Sequence, residues 1–164
     1  MINHYAEIAF ILDRSGSMSS CQEAAIDGFN RFLLEQQQVE GLAKLTLVLF
    51  DDEYLVPVSS LPVQEIVPLD SDSYVPRNST ALLDAVGRTI DELGSHLRAL
   101  PEKERPARVI VAILTDSYGR ADANTARLVR REISWGEYVS ENQAIVTHRR
   151  AELLAAIADA DFLV

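Results

Sequence analysis

Apolar and polar positions follow one another in blocks along the chain, and these blocks predict strands and helices in turn. Residues 6–12 form the apolar run AEIAFIL, which stops abruptly at the polar turn DRSGS. Short continuous apolar runs are typical of strands buried on both faces of a parallel sheet, and 44–50 and 109–114 have the same character. A strand at 54–58 follows so soon after the second run that the two must pair antiparallel, and Pro57 favours a sheet edge.

Periodic apolar positions predict two helices between these strands. In the segment 21–38 one apolar stripe consists of Ile26, Phe29, Phe32 and Leu33. Ser20 followed by Glu23 has the spacing of a capping box, which predicts the start of this helix. In the segment 80–97 a second stripe consists of Leu83, Val86, Ile90, Leu93 and Leu97.

The alternation of strands and helices predicts an α/β domain with a mostly parallel central sheet and one antiparallel edge strand. No repeat, low-complexity tract or linker divides the sequence, so we expect a single domain over residues 1–164. The pattern is weaker toward the end of the chain. There it predicts two helices and two short strands, in the order 123–133 (helix), 144–147 (strand), 151–159 (helix) and 162–164 (strand).

Composition excludes several classes of function. The 164 residues carry 25 Asp and Glu against 15 Lys and Arg, a net charge of −10, which argues against binding nucleic acid or an anionic membrane surface. The lone cysteine cannot form an internal disulfide, and no apolar run approaches the roughly 20 residues of a membrane span. The first residues lack the features of a secretory signal, so we expect a cytoplasmic protein.

Polar side chains with oxygen atoms follow the predicted parallel strands, where ligands bind in open α/β sheets. Asp13, Ser15 and Ser17 are spaced so that an extended loop turns all three to one side. Asp116 follows the strand at 109–114, and the hydroxyl of Thr80 could reach the same rim. An all-oxygen set with two carboxylates suits a hard cation such as Mg²⁺ or Mn²⁺.

Three motifs in these places resemble those of von Willebrand factor type A domains, and in particular the stand-alone bacterial members of that family. DRSGSM (13–18) resembles the DxSxS motif, NSTALLDA (78–85) the segment with the metal-site threonine, and ILTD (113–116) the segment with the later metal-site aspartate. The resemblance covers residues 3–120, with the motifs in family order. It implies a Rossmann-like three-layer fold and a metal-ion-dependent adhesion site.

By this resemblance the metal set is Asp13, Ser15, Ser17, Thr80 and Asp116. In the family, a partner protein commonly completes the coordination with a glutamate or aspartate. This sequence departs from the family at Asn78 and Ser117, where bacterial relatives are expected to carry glycine, and over residues 121–164. The divergent tail could rebuild the sheet edge or mediate oligomerisation.

Other polar groups admit two interpretations. The acidic run 51–53 could form a second cation site, but a solvated hairpin turn is favoured. Alternation points Arg14 away from the metal, toward a partner or solvent. Tyr54, Tyr74 and Arg77 could line a recognition surface or have no such role.

We therefore expect a non-enzymatic, divalent-metal-dependent protein-interaction module. One alternative is a metal-assisted hydrolase acting on phosphate esters, because aspartates and Mg²⁺ at strand ends also serve that chemistry. Neither a GxxxxGK[ST] loop nor a GxSxG elbow is present in the sequence. A second alternative is a structural scaffold that binds no metal.

Overall fold

The computed structural model describes the backbone of residues 2–116 and 127–134, and the side chains of residues 5–116. Strands and helices in these ranges are β1 (Ile2–Asp13), α1 (Gln22–Gln38), β2 (Leu42–Phe50), β3 (Tyr54–Pro62), α2 (Leu82–Ala99), β4 (Pro106–Thr115) and β5 (Arg127–Ser134). Short 3-10 turns cover Gly16–Cys21, Val63–Glu65 and Glu102–Glu104.

The strands form one sheet in the order β3-β2-β1-β4-β5. The central strand β1 runs parallel to β2 and β4, while β3 pairs antiparallel with β2. A mostly parallel centre with an antiparallel strand at the β3 edge is therefore confirmed.

The other end of the described sheet corrects a prediction. β5 pairs antiparallel with β4 from Arg127 to Ser134, so the helix predicted over 123–133 is wrong. Pairing with the strongly apolar β4 overrides the helix preference of the Arg, Leu and Glu residues in this segment. The elements predicted at 144–147, 151–159 and 162–164 lie outside the described residues.

The helices α1 and α2 cover opposite faces of the sheet. Because neighbouring side chains of a strand point to opposite sides, each central strand packs against both helices. Phe10 of β1 belongs to the core beneath α1 and lies 5.0 Å, between ring centroids, from both Phe29 and Phe32. The next residue, Ile11, packs on the opposite face with Val86 of α2. The three-layer α/β architecture is therefore confirmed.

Both helix starts differ from the predictions. Cys21, not Ser20, is the N-cap of α1 and makes no side-chain capping bond. The Ser20 hydroxyl donates instead to the carbonyl of Ser17 at 3.1 Å, because both lie in the 3-10 turn before α1. α2 begins at Leu82, which leaves Thr80 in the preceding loop, and Leu83 is exposed rather than inward-facing. The other four positions of the predicted α2 stripe are buried.

The chain order creates a crevice at one edge of the sheet. The chain passes from β1 to β2 on one side, and later to β4 on the other side of β1. In open α/β sheets such a reversal separates the loops beyond the carboxyl ends of the two strands, and ligands bind there. The ends of β1 and β4 carry Asp13 and Thr115, so the predicted site lies at this crevice.

Within the described part of the chain, neither α1 nor α2 combines the length and hydrophobicity needed to cross a membrane.

Candidate functional site

The five predicted residues lie around the crevice and are joined in two hydrogen-bonded groups. The hydroxyl oxygens of Ser15 and Ser17 are 3.1 Å apart, and the Ser17 hydroxyl donates to Oδ1 of Asp116 at 3.1 Å. The Thr80 hydroxyl donates to Oδ2 of Asp13 at 3.4 Å. The main-chain N–H of Ser15 donates to Oδ1 of Asp13 at 2.8 Å and links the two groups.

The site has a buried floor and an open rim. Asp13 and Ser15 are 0% and 2% exposed, whereas Ser17 and Thr80 are exposed to solvent. In the part of the chain with described side chains, no lysine or arginine forms an ion pair with Asp13. Its described hydrogen-bond donors are neutral. Because a buried carboxylate is usually paired with a cation, this arrangement favours cation binding.

Sequence reasoning missed one polar contact in the floor, that of Thr115. Its hydroxyl donates to Oδ2 of Asp13 at 2.6 Å, and its side chain is fully buried. Leu12 pairs with Leu114 in the parallel ladder, which sets the two following residues side by side. Asp13 and Thr115 are the last residues of neighbouring strands, and that coincidence is the signal that could have identified the pair.

Tyr74 also supports Asp13, contrary to its possible place on a recognition surface. Its side chain is fully buried, and its hydroxyl donates to the main-chain carbonyl of Asp13 at 2.5 Å. Burial, reinforced by the nearby Asp13 charge, raises the pKa of Tyr74 far above its usual value. The hydroxyl therefore stays protonated and available as a donor. Tyr54 is half-buried, and its ring lies 4.1 Å below the Arg88 guanidinium.

Main-chain hydrogen bonds connect the loops that carry the predicted ligands. The N–H of Arg77 donates to the carbonyl of Arg14 at 2.7 Å, and the N–H of Gly16 donates to that of Asn78 at 2.8 Å. A side chain at Gly16 would place its Cβ 3.2 Å from the Asn78 carbonyl oxygen, so glycine permits this close approach. Asn78 has φ 57°, the left-handed region that asparagine tolerates better than most residues. Ser117 lies outside the described residues.

The acidic turn after β2 agrees with the favoured interpretation, a solvated hairpin turn, at the exposed Asp52 and Glu53 but not at Asp51. Asp51 is fully buried, with its Oδ2 3.0 Å from Nη2 of Arg14 and 2.9 Å from Nε of Arg77. Burial acts to raise the pKa of Asp51, but hydrogen bonds from the Glu53 amide and the Arg77 guanidinium outweigh it and lower the pKa. Asp51 is therefore an ion-pair partner and not a solvated turn residue. Arg14 points toward Asp51 and is buried, whereas the sequence predicted that it would face a partner or solvent.

The chemistry of the donors fits a hard cation that uses hydroxyl ligands. Among the residues with described side chains, no three His, Cys, Asp or Glu residues gather in a way that could hold a metal ion. Neighbouring oxygen ligands in an octahedral Mg²⁺ site, with bonds of 2.0–2.1 Å, are about 2.9 Å apart. The oxygen atoms of Ser15 and Ser17, and of Ser17 and Asp116, are hydrogen-bonded at 3.1 Å, so only a small approach would bring each pair to that spacing.

Comparisons with known proteins assign no family. No protein-family model matches the chain, and no curated protein matches it. One similar solved structure is an aerotolerance-related membrane protein from Bacteroides fragilis, with 12% identity, a TM-score of 0.40, and coverage of 94% of this chain and 97% of that one. Another is the conserved hypothetical protein BatB from Bacteroides thetaiotaomicron, with 12% identity, a TM-score of 0.39, and coverage of 94% and 100%. Neither alignment carries an argument about function.

Proposed function

We propose that this chain is a divalent-cation-dependent protein-interaction module of the von Willebrand factor A type, with a metal-ion-dependent adhesion site. Mg²⁺ or Mn²⁺ would be held by Asp13, Ser15, Ser17, Thr80 and Asp116. A partner protein would complete the site with an aspartate or glutamate. The proposal rests on the gathering of these oxygen-bearing side chains around a buried carboxylate at the crevice.

The charges of the donor set support recognition of an acidic partner. Two carboxylates roughly balance a divalent cation, and the hydroxyl groups add no charge. A bound Mg²⁺ would act as a Lewis acid that accepts an external carboxylate oxygen. Ser17 and Thr80 are exposed at the rim, where a partner side chain could approach. Thr115 and Tyr74 would hold Asp13 in place from beneath.

Metal binding is tested by titration calorimetry with MgCl₂ and MnCl₂. Asp13→Asn keeps the shape of the side chain but removes its charge, so we expect affinity to fall at least about 10–100-fold, the loss seen even for groups that only support ligands. Asp27→Asn, on the exposed face of α1, is the matched control and should bind like the wild type. Equal affinity of all three proteins would exclude the proposed site, and the absence of binding by the wild type would favour a scaffold that binds no metal.

Recognition of a carboxylate is tested with the Mn²⁺-loaded protein and water-proton relaxation. A glutamate-containing peptide should lower the relaxivity because its carboxylate displaces bound water, whereas the same peptide with glutamine should not. Turnover of a generic phosphate ester with no peptide effect would instead support the hydrolase. Cytoplasmic location and oligomerisation through residues 121–164 stay predictions.

A further inference from the structure

Asp51 contacts both segments that carry predicted ligands, the loop after β1 and the loop before α2, although it belongs to neither. It follows Phe50 at the end of β2, and its carboxylate pairs with Arg14 and Arg77. Its main-chain carbonyl accepts the N–H of Ala81 at 3.1 Å. A fully buried residue with three such contacts has little freedom to move.

These contacts reach the immediate neighbours of the proposed ligands. Arg14 lies between Asp13 and Ser15 in the sequence, and Ala81 follows Thr80. A shift of Asp51 would therefore move the DxSxS loop relative to the Thr80 loop. The hydrogen bond from the Thr80 hydroxyl to Oδ2 of Asp13 is already long, at 3.4 Å, so such a shift would readily break it.

The same cluster leaves no net positive charge beside the crevice. Arg14 and Arg77 contribute two guanidinium groups, and the carboxylates of Asp51 and Glu53 balance them. A cation site gains nothing from neighbouring arginines by Coulomb attraction, since like charges repel. Attraction of a cation therefore does not explain Arg14 and Arg77, whereas their ion pairs with Asp51 indicate a structural role.

We propose that Asp51 is a positioning residue that sets the spacing of the two ligand loops through Arg14 and Arg77. This inference rests on the proposed function. Residues that orient metal ligands without touching the metal commonly change affinity about 10–100-fold when they are substituted.

Positioning is tested first without metal, by amide hydrogen exchange in EDTA. Asp51→Asn and Arg77→Gln should each speed exchange at the amides of Gly16 and Ala81, which donate to the carbonyls of Asn78 and Asp51, while the amides of β1 stay protected. Arg77→Gln is included because Arg77 is partly exposed and its loss leaves the pair of Arg14 with Asp51 intact. Unchanged exchange at both amides in both variants would overturn the proposal.

Magnesium titration of the same variants separates positioning from charge. Removing the positive charge of Arg77 should tighten Mg²⁺ binding if only charge matters, but weaken it about tenfold if Arg77 positions the loops. Asp27→Asn, on the exposed face of α1 and away from the cluster, controls for the loss of one negative charge. Tighter binding by Arg77→Gln would overturn the proposal. If the wild-type protein binds no Mg²⁺, the proposed function is excluded. The exchange experiment without metal would then alone test whether Asp51 positions the two loops.

Discussion

Glu7 is a fully buried carboxyl group on the central strand, six residues before Asp13. The Tyr5 hydroxyl donates to its Oε2, while its Oε1 has no hydrogen-bond partner among the described residues. Burial raises the pKa of Glu7 above its ordinary value of 4.5, against the lowering effects of the Tyr5 hydrogen bond and of Lys44 and His96. The folded protein therefore holds this proton more tightly than the unfolded chain does.

The stability of the fold should depend on pH through Glu7. When the folded-state pKa is the higher one, the free energy of unfolding falls as pH rises from the unfolded pKa to the folded pKa. Glu7→Gln removes this dependence, so its stability relative to the wild type should increase with pH by about 1.4 kcal/mol for each unit of raised pKa. Urea unfolding from pH 5 to 8 measures the effect. Glu35→Gln, on the exposed face of α1, should give a constant difference, and the same constant difference for Glu7→Gln would contradict the prediction.

At the scale of single residues, the sequence predicted local arrangements and missed distant ones. Asp13, Ser15 and Ser17 are close in sequence and meet as predicted, although Ser17 lies in the 3-10 turn and not in the extended loop that the prediction assumed. Thr115 and Tyr74 bond to Asp13 across 102 and 61 residues of sequence, so only the tertiary fold brings them together. Asp51 was misjudged for the same reason, because a run of acidic residues does not reveal a distant arginine.

At the scale of elements, the packing of α1 against β1 centres on one aromatic cluster. Phe10 meets the ring of Phe29 edge-on at 84° and that of Phe32 at 58°. Phe10→Ala would leave a cavity between the helix and the sheet, and such changes cost about 3–5 kcal/mol. Chemical denaturation should show this loss. Leu34→Ala, at a position 55% exposed on α1, should change stability by less than about 0.5 kcal/mol.

The elements that sequence predicted well are those whose own residues determine their structure. The strands β1, β2 and β4 consist mainly of apolar residues, and α1 and α2 each carry a stripe of apolar residues at helical spacing. β5 depends on its partner, since hydrogen bonds to β4 decide between strand and helix for the segment from Arg127 to Ser134. The start of α1 depends on a 3-10 turn that competes for the Ser20 hydroxyl.

At the scale of the whole molecule, the proposed cation should couple to global stability. A ligand that binds only the folded state at 100 times its Kd adds about 2.7 kcal/mol, which is about 5–10 °C in Tm for a domain of this size. We expect MgCl₂ to raise Tm by this amount in a thermal unfolding experiment.

The net charge of −10 requires a salt control in that experiment. KCl at equal ionic strength screens the acidic surface without filling a divalent site, so it should raise Tm much less. Asp13→Asn should respond equally to both salts. An equal response by the wild type would show that Mg²⁺ acts by screening alone.

The β3 edge of the sheet has a further consequence for how copies of this molecule behave when crowded. Against the partner strand β2, β3 carries an extra residue between Val58 and Leu61 and another between Leu55 and Val58. Ser60 has φ 48°, and Pro57 lacks an N–H group. Irregular edges of this kind cannot template the flat, repeating ladder of a fibril. Although Leu55, Val56 and Leu61 are exposed along it, this strand is therefore poorly suited to seed amyloid-like polymerisation.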